Sequence, residues 1–166
     1  MTNSNSNLNE HSLFHHTPLG LVEIKGSEQG ISALQFVDKT KRSSTSSSIF
    51  LSQCAKELDE YFEGKRRGFD VQLDWSGASD FYQQVWSALI NIPIGETKTY
   101  GQIAAQLGKP NAARAVGRAN ALNRMAILVP CHRLVGTDGK LRGYAYGLDR
   151  KRALLDLETS AFGTNF

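Results

Sequence analysis

Cysteine is scarce in this chain: 166 residues contain two, Cys54 and Cys131. That excludes a scaffold stapled by disulfides and fits a reducing compartment. Paired metal-ligand spacing is missing too. His11, His15 and His16 lie close together, but only Cys54 could lend them sulfur, so no metal site is expected. No window approaches 18 uncharged apolar residues, which argues against a membrane-spanning helix. Met1 to Asn9 is polar and rich in Asn and Ser, with no apolar run of the kind a secretory signal needs. Together these absences point to a cytoplasmic protein with no membrane partner.

The residues that are present suit one globular domain or two small ones, long enough to bury a core. Hydrophobic content of 40% and charged content of 21% are ordinary for that class. The net charge of +3 hides an asymmetry. Residues 95–152 carry 11 Lys and Arg against 3 Asp and Glu, whereas the rest carries 8 against 13. A basic block beside an acidic one suggests a polyanion-binding face on one half only.

Along the chain, residues 1–10 lack periodicity and read as disordered. Residues 12–37 read as strands, with Leu19–Ile24 and Ile31–Val37 alternating around a Gly26–Gly30 turn. Residues 39–48 form a Ser/Thr-rich basic loop. A helix is predicted over 49–62, with Leu51, Cys54, Ala55, Leu58 and Phe62 as its buried stripe and Gly64 as its stop. Cys54 is therefore core packing, and Phe69–Asp74 reads as another strand. The Trp75–Ser79 stretch marks a junction, dividing the chain into domains 1–76 and 77–166.

Beyond it, a helix starts near Asp80, with Phe81, Val85, Trp86, Leu89 and Ile90 on one face. Pro93 and Gly95 break it. Thr99 caps a short helix, a three- or four-residue turn follows, and a small-residue helix is predicted over about 112–122. That order is the helix-turn-helix pattern. The alanines and Gly117 leave little bulk, so this second helix can approach another surface closely. A last helix is predicted from a cap at Asp149 to about Glu158, burying Leu148, Ala153, Leu154 and Leu157, followed by a loose tail.

The stretch Ile127–Arg133 carries the chemistry. An apolar run ends at Pro130, and a thiol and an imidazole follow side by side, Cys131 and His132. A thiol attacks as its thiolate, so it needs a cation or a base nearby. Pro130-Cys131-His132-Arg133 resembles the active-site motif of the O6-alkylguanine-DNA alkyltransferases, the methylated-DNA–protein-cysteine methyltransferases. The resemblance is colinear over about 70 residues. It runs through Ile92-Pro93-Ile94-Gly95, Thr99-Tyr100-Gly101-Gln102-Ile103-Ala104, Arg114-Ala115-Val116-Gly117 and Asn123, then Gly143-Tyr144, Gly147-Leu148, Leu154-Leu155 and Glu158.

This resemblance implies a mixed α+β protein: a small N-terminal ribonuclease-H-like domain, then a mostly helical, winged-helix-like C-terminal domain with the helix-turn-helix. It implies irreversible transfer of an alkyl group from O6 of guanine, and also from O4-alkylthymine, to the sulfur of Cys131. No cofactor is implied. His132 would be a base acting through water, oriented by Glu158. Tyr100 would protonate the departing base, and Asn123 would fix the turn. Arg133 would hold that turn beside the base pocket, which Tyr144, Ala145, Leu134 and Tyr146 would help to form.

The lesion must be flipped from duplex DNA to reach such a pocket. Arg114 matches the family's arginine finger. Ala113, Ala115, Gly117 and Arg118 would press into the minor groove, with Lys109, Arg124 and Lys140 on phosphates. A monomer acting alone is expected. The chain departs from many relatives at Arg124 and Tyr146, and the second departure implies poorer acceptance of bulky O6 groups. A lesion-binding protein without a reactive cysteine, a transcription factor and a cysteine hydrolase are the rival classes. None of them accounts for Cys131, its flanking motif and Glu158 together.

Overall fold

The computed structural model describes residues 10–40 and 48–163. The segments expected to be a disordered N-terminus and a mobile loop fall largely outside those residues. Strands β1 (His11–Thr17), β2 (Gly20–Ser27) and β3 (Gly30–Phe36) form an antiparallel sheet in that order. The sheet buries Val22, Ile24, Ile31 and Leu34 completely. Alternation in β2 and β3 gave these two strands away, while β1 is only partly buried along most of its length. Helix α1 (Ile49–Phe62) packs across the sheet.

The buried stripe of α1 is Leu51, Cys54, Glu57, Leu58 and Tyr61. Ala55 and Phe62, expected on that stripe, are only partly buried, because the buried face centres on Cys54 and Tyr61 and leaves both at its edge. The expected strand over 69–74 contracts to one bridge, Ile31 to Leu73. Its anchors lie elsewhere: Glu57 Oε2 accepts the backbone N–H groups of Asp70 (2.9 Å) and Val71 (3.2 Å). Close approach at Gly30 also matters. Its φ is +133°, and a Cβ there would sit 2.6 Å from the Gln72 carbonyl oxygen.

The second half is helical. Helix α2 (Asp80–Ile90) is capped by Ser79, whose side chain accepts from Tyr82 N–H. Ile90 is exposed, and Ala88 takes the buried place expected of it. Strand β4 (Lys98–Thr99) runs straight into helix α3 (Tyr100–Gln106), closed at its start by a capping box between Thr99 and Gln102. Helix α4 (Ala113–Ala121) follows after residues 107–112, a longer turn than expected. Trp86 Nε1 donates to the Ala119 carbonyl at 2.9 Å, tying α2 to α4.

The final helix, α5, spans Leu148–Phe162, a full turn longer than expected. Gly147 is its cap, Asp149 lies inside the first turn, and Leu148 is exposed. Leu154, Lys151 and Glu158 supply the fully buried side. One continuous hydrophobic core joins the two halves, from Val22 and Leu58 through Val85 and Ile103 to Leu154. No described helix is long and apolar enough to cross a membrane.

Cys54 lies fully inside this core. Burial, with Glu57 adding to it, pushes the thiol from 9.0 up to about 12. The folded state then keeps a proton that the unfolded state releases, so this contribution is whole below pH 9 and is lost as pH rises towards 12. Urea unfolding should show a stability decline across that alkaline window, and Cys54→Val should flatten it. An identical slope in the variant would contradict the linkage.

Candidate active site

The loop that carries Cys131 is pinned from three sides. Leu34 N–H donates to the Arg124 carbonyl (2.9 Å), and Ala126 N–H donates back to Leu34 (3.0 Å), hooking the loop onto the edge of β3. The Asn123 side chain accepts from Met125 N–H (3.0 Å) and donates to the Val129 carbonyl (3.0 Å). Ile127 adopts φ +70° although it is not glycine, a strained conformation costing about 1–3 kcal/mol that surrounding packing must hold. Ile127 is almost fully buried. The apolar run before Pro130 thus enters the core as a chain of tight turns.

After Pro130, residues Cys131–Arg133 form one 3-10 turn and Leu134–Val135 form strand β5, parallel to β4. This short pairing matters because β4 ends at the residue before Tyr100. It brings the start of α3 beside the cysteine. A cavity of about 140 Å³ opens there, lined by Cys131, Tyr100, Asn123, Tyr144 and Tyr146, with Gly117, Asn120 and Ala121 of α4 closing one side. The Tyr100 hydroxyl donates to the Arg142 carbonyl at 3.2 Å. Tyr144 and Tyr146 meet edge to face, and Tyr146 in turn packs on Phe36 of β3.

Behind the cysteine lies a buried charge network. Glu158 Oε1 accepts from His132 Nε2 (2.7 Å), the Tyr61 hydroxyl (2.7 Å) and Arg133 Nη2 (2.9 Å), while Oε2 accepts from Arg133 Nε (3.0 Å). Arg133 Nη1 reaches the Ile92 carbonyl at 2.7 Å. Tyr61, His132 and Glu158 are fully buried. Burial works against the Glu158 charge, but His132 and the permanent Arg133 cation outweigh it and hold the carboxyl well below the usual carboxylate range.

Burial pushes His132 down, more strongly than Glu158 pulls it up, so the imidazole is neutral. An ionised Glu158 only accepts, which places the ring proton on Nε2 and leaves Nδ1 a bare acceptor. His132 Nδ1 has no hydrogen-bond partner among the described residues. Burial also pushes the Cys131 thiol up; the Asn123 amide, the Lys151 ammonium and nearby backbone N–H groups pull it down without prevailing. A neutral thiol and a neutral imidazole with one bare ring nitrogen therefore occupy consecutive residues of the same turn.

Most of the residues singled out in the sequence gather here. Cys131, Tyr100, Asn123, Tyr144, Ala145 and Tyr146 surround the cavity, and His132 and Glu158 pair behind it. Arg133 and Leu134 do not line the cavity; Arg133 turns to Glu158, and Leu134 is buried in β5. On α4, Arg114, Ala115, Arg118 and Ala121 form an exposed stripe, with Ala113 and Gly117 half-buried beside it. Lys109, Arg124 and Lys140 are exposed outside that helix.

Three participants were missed. Tyr61 fell outside the residues chosen for the α1 stripe, although the spacing from Leu58 could have found it. Lys151 is fully buried, and its Nζ donates to the carbonyls of Arg142 (3.0 Å) and Gly143 (3.3 Å) at the cavity rim. No sequence signal marks it. Asn120 lines the cavity, and its buried Oδ1 is without a partner among the described residues, as is the Tyr144 hydroxyl. The cavity thus offers unused hydrogen-bonding capacity to a polar occupant.

Comparison with known proteins accounts for both halves. Residues 11–75 match the ribonuclease-like domain, and residues 80–160 the DNA-binding domain, of 6-O-methylguanine DNA methyltransferase. The chain is 46% identical over 147 residues to the methylated-DNA–protein-cysteine methyltransferase of Methanosarcina barkeri, covering 86% of this chain and 92% of that one. The crystal structure of Mycobacterium tuberculosis O6-methylguanine methyltransferase superposes with a TM-score of 0.81 at 45% identity, over 92% and 94% of the two chains. The same organism's OGT in complex with DNA gives 0.80 at 46% identity, over 89% and 92%. With likeness of this depth spanning the sheet, the helices and the cysteine loop alike, the chain belongs to the O6-methylguanine-DNA methyltransferase family.

Proposed function

We propose that this protein repairs DNA by direct reversal, moving the alkyl group of O6-alkylguanine to the sulfur of Cys131 and ending its own activity in doing so. The observation that carries the proposal is Cys131 on the wall of a small cavity, backed by the buried His132–Glu158 pair and shared with Tyr100. Residues 1–76 serve as scaffold and residues 77–166 as the reactive and DNA-binding part.

The step balances without a co-reactant. His132 Nδ1 takes the thiol proton through a water molecule, and Glu158 stabilises the imidazolium. The thiolate attacks the alkyl carbon, a C–S bond forms, and the C–O6 bond breaks with its electron pair staying on the base. Tyr100 protonates the guanine anion and recovers a proton from the imidazolium side. The thioether does not hydrolyse, so one monomer acts on one lesion.

The reacting oxygen lies inside a stacked duplex, so the nucleotide must leave the helix to enter the cavity. Gly117, Asn120 and Ala121 place α4 beside the cavity mouth. Its exposed stripe of alanines and two arginines suits a minor groove about 6 Å wide. Arg114 fills the vacated stack, and Lys109, Arg118, Arg124 and Lys140 contact phosphates. Binding is then lesion-specific, tolerant of sequence and weakened by salt.

Intact-mass measurement after incubation with one equivalent of O6-methylguanine duplex should show a gain of one methyl, mapped to Cys131 and absent from Cys131→Ser. An unchanged mass, or a methyl on the buried Cys54, would sink the proposal. Tyr146, braced by Tyr144 and Phe36, narrows the cavity and should disfavour benzyl over methyl. Tyr146→Gly should raise the benzyl-to-methyl rate ratio by about tenfold, the low end of what one misfit in a pocket is worth. An unmoved ratio would show that the ring does not set alkyl size.

A further inference from the structure

One hydroxyl of the sheet-bearing half reaches the charge network behind the cysteine. Tyr61, on α1, donates to Glu158 Oε1 at 2.7 Å across 97 residues of sequence, and both side chains are fully buried. The same oxygen accepts from His132 Nε2 at 2.7 Å and from Arg133 Nη2 at 2.9 Å. Three donors on one carboxylate oxygen divide its electron density, and each weakens what the others receive. We propose that Tyr61 is a positioning residue that sets how strongly Glu158 can draw a proton onto His132, and so tunes the pH at which Cys131 becomes a nucleophile. This rests on the proposed roles of Cys131, His132 and Glu158.

The geometry favours tuning over support alone. The Tyr61 ring is already held by Phe62 and Phe69, with ring centroids at 5.3 and 5.4 Å, so the hydroxyl is not needed to place the ring. Arg133 already neutralises Glu158 through two bonds and is itself anchored to the Ile92 carbonyl. The phenol adds a donor to a carboxylate that is already neutralised. Its effect falls on the one partner whose protonation can change, the imidazole.

Few other groups compete for this effect. From the turn after Pro130 come Cys131, His132 and Arg133, from α5 comes Lys151, and from the loop before α5 comes Tyr144. Arg133 and Lys151 both disfavour a proton on His132, whereas Glu158 favours it. Burial, then the Glu158 charge and the hydrogen bond to it, push the Tyr61 phenol well above its ordinary range. It therefore remains a donor wherever the protein is folded.

The sign follows. Without the Tyr61 proton, Glu158 carries more negative charge towards His132, the imidazolium is stabilised, and the thiolate forms at lower pH. Tyr61→Phe should shift the midpoint of Cys131 alkylation by iodoacetamide down by about one pH unit, a tenfold change in proton affinity. Replacing Tyr61 with 3-fluorotyrosine, a more acidic phenol and a stronger donor, should shift it up. The measurement uses the full chain, follows alkylation at Cys131 by peptide mass, and repeats the pH series for methyl transfer.

Opposed shifts in the two variants support the proposal; midpoints that stay put or move the same way overturn it, as a purely structural tyrosine would give. The fluorinated protein keeps the hydroxyl and the native contacts, so the second arm survives if Tyr61→Phe folds poorly. Iodoacetamide needs no DNA. Opposed shifts in a protein that accepts no methyl would refute the repair function and leave the tuning intact.

Discussion

Everything near Cys131 depends on a carboxylate that has been taken out of water. An isolated buried carboxylate would cost many kcal/mol, and it survives only when paired and fully hydrogen-bonded. Glu158, on α5, meets that condition by drawing donors from α1 and from the turn after Pro130. The demand is mutual. Arg133 and His132 are buried too, and Glu158 supplies the charge that the Arg133 cation needs there and the acceptor for the His132 ring. A single anion thus fixes the relative placement of three elements that are far apart in sequence.

The same burial explains why the thiol is quiet at rest. A cysteine 5% exposed in an apolar loop holds its proton, and the nearby cation and amides only moderate this. Reactivity must come from transfer to a neighbour rather than from standing ionisation. That suits the single-use transfer proposed above, because a permanently ionised thiolate would be spent on any passing electrophile.

Much of this was legible in the sequence where the physics is local. The bounds of α1 follow from a clean amphipathic period, and the Thr99 cap follows from a hydroxyl three residues before a glutamine. Errors came where tertiary structure overrode local pattern. Phe69–Asp74 alternates like a strand, yet Glu57 captures its amides and leaves one bridge. Ile90 and Leu148 are apolar, but each sits at a helix end with its side chain turned to solvent, and Ile90 is exposed between the buried Leu89 and Ile92. Cys131, His132 and Glu158 were found through a motif. Tyr61, Lys151 and Asn120 belong to no motif, and their positions depend on how distant elements meet.

The sheet has one more consequence. An unpaired strand edge is an open template on which a second chain can add and aggregate. In this fold, the outer rim of β3 is already occupied, at one end by Leu73 and at the other by Met125, just ahead of the cysteine. The segment that leads to Cys131 therefore also acts as a plug against strand addition.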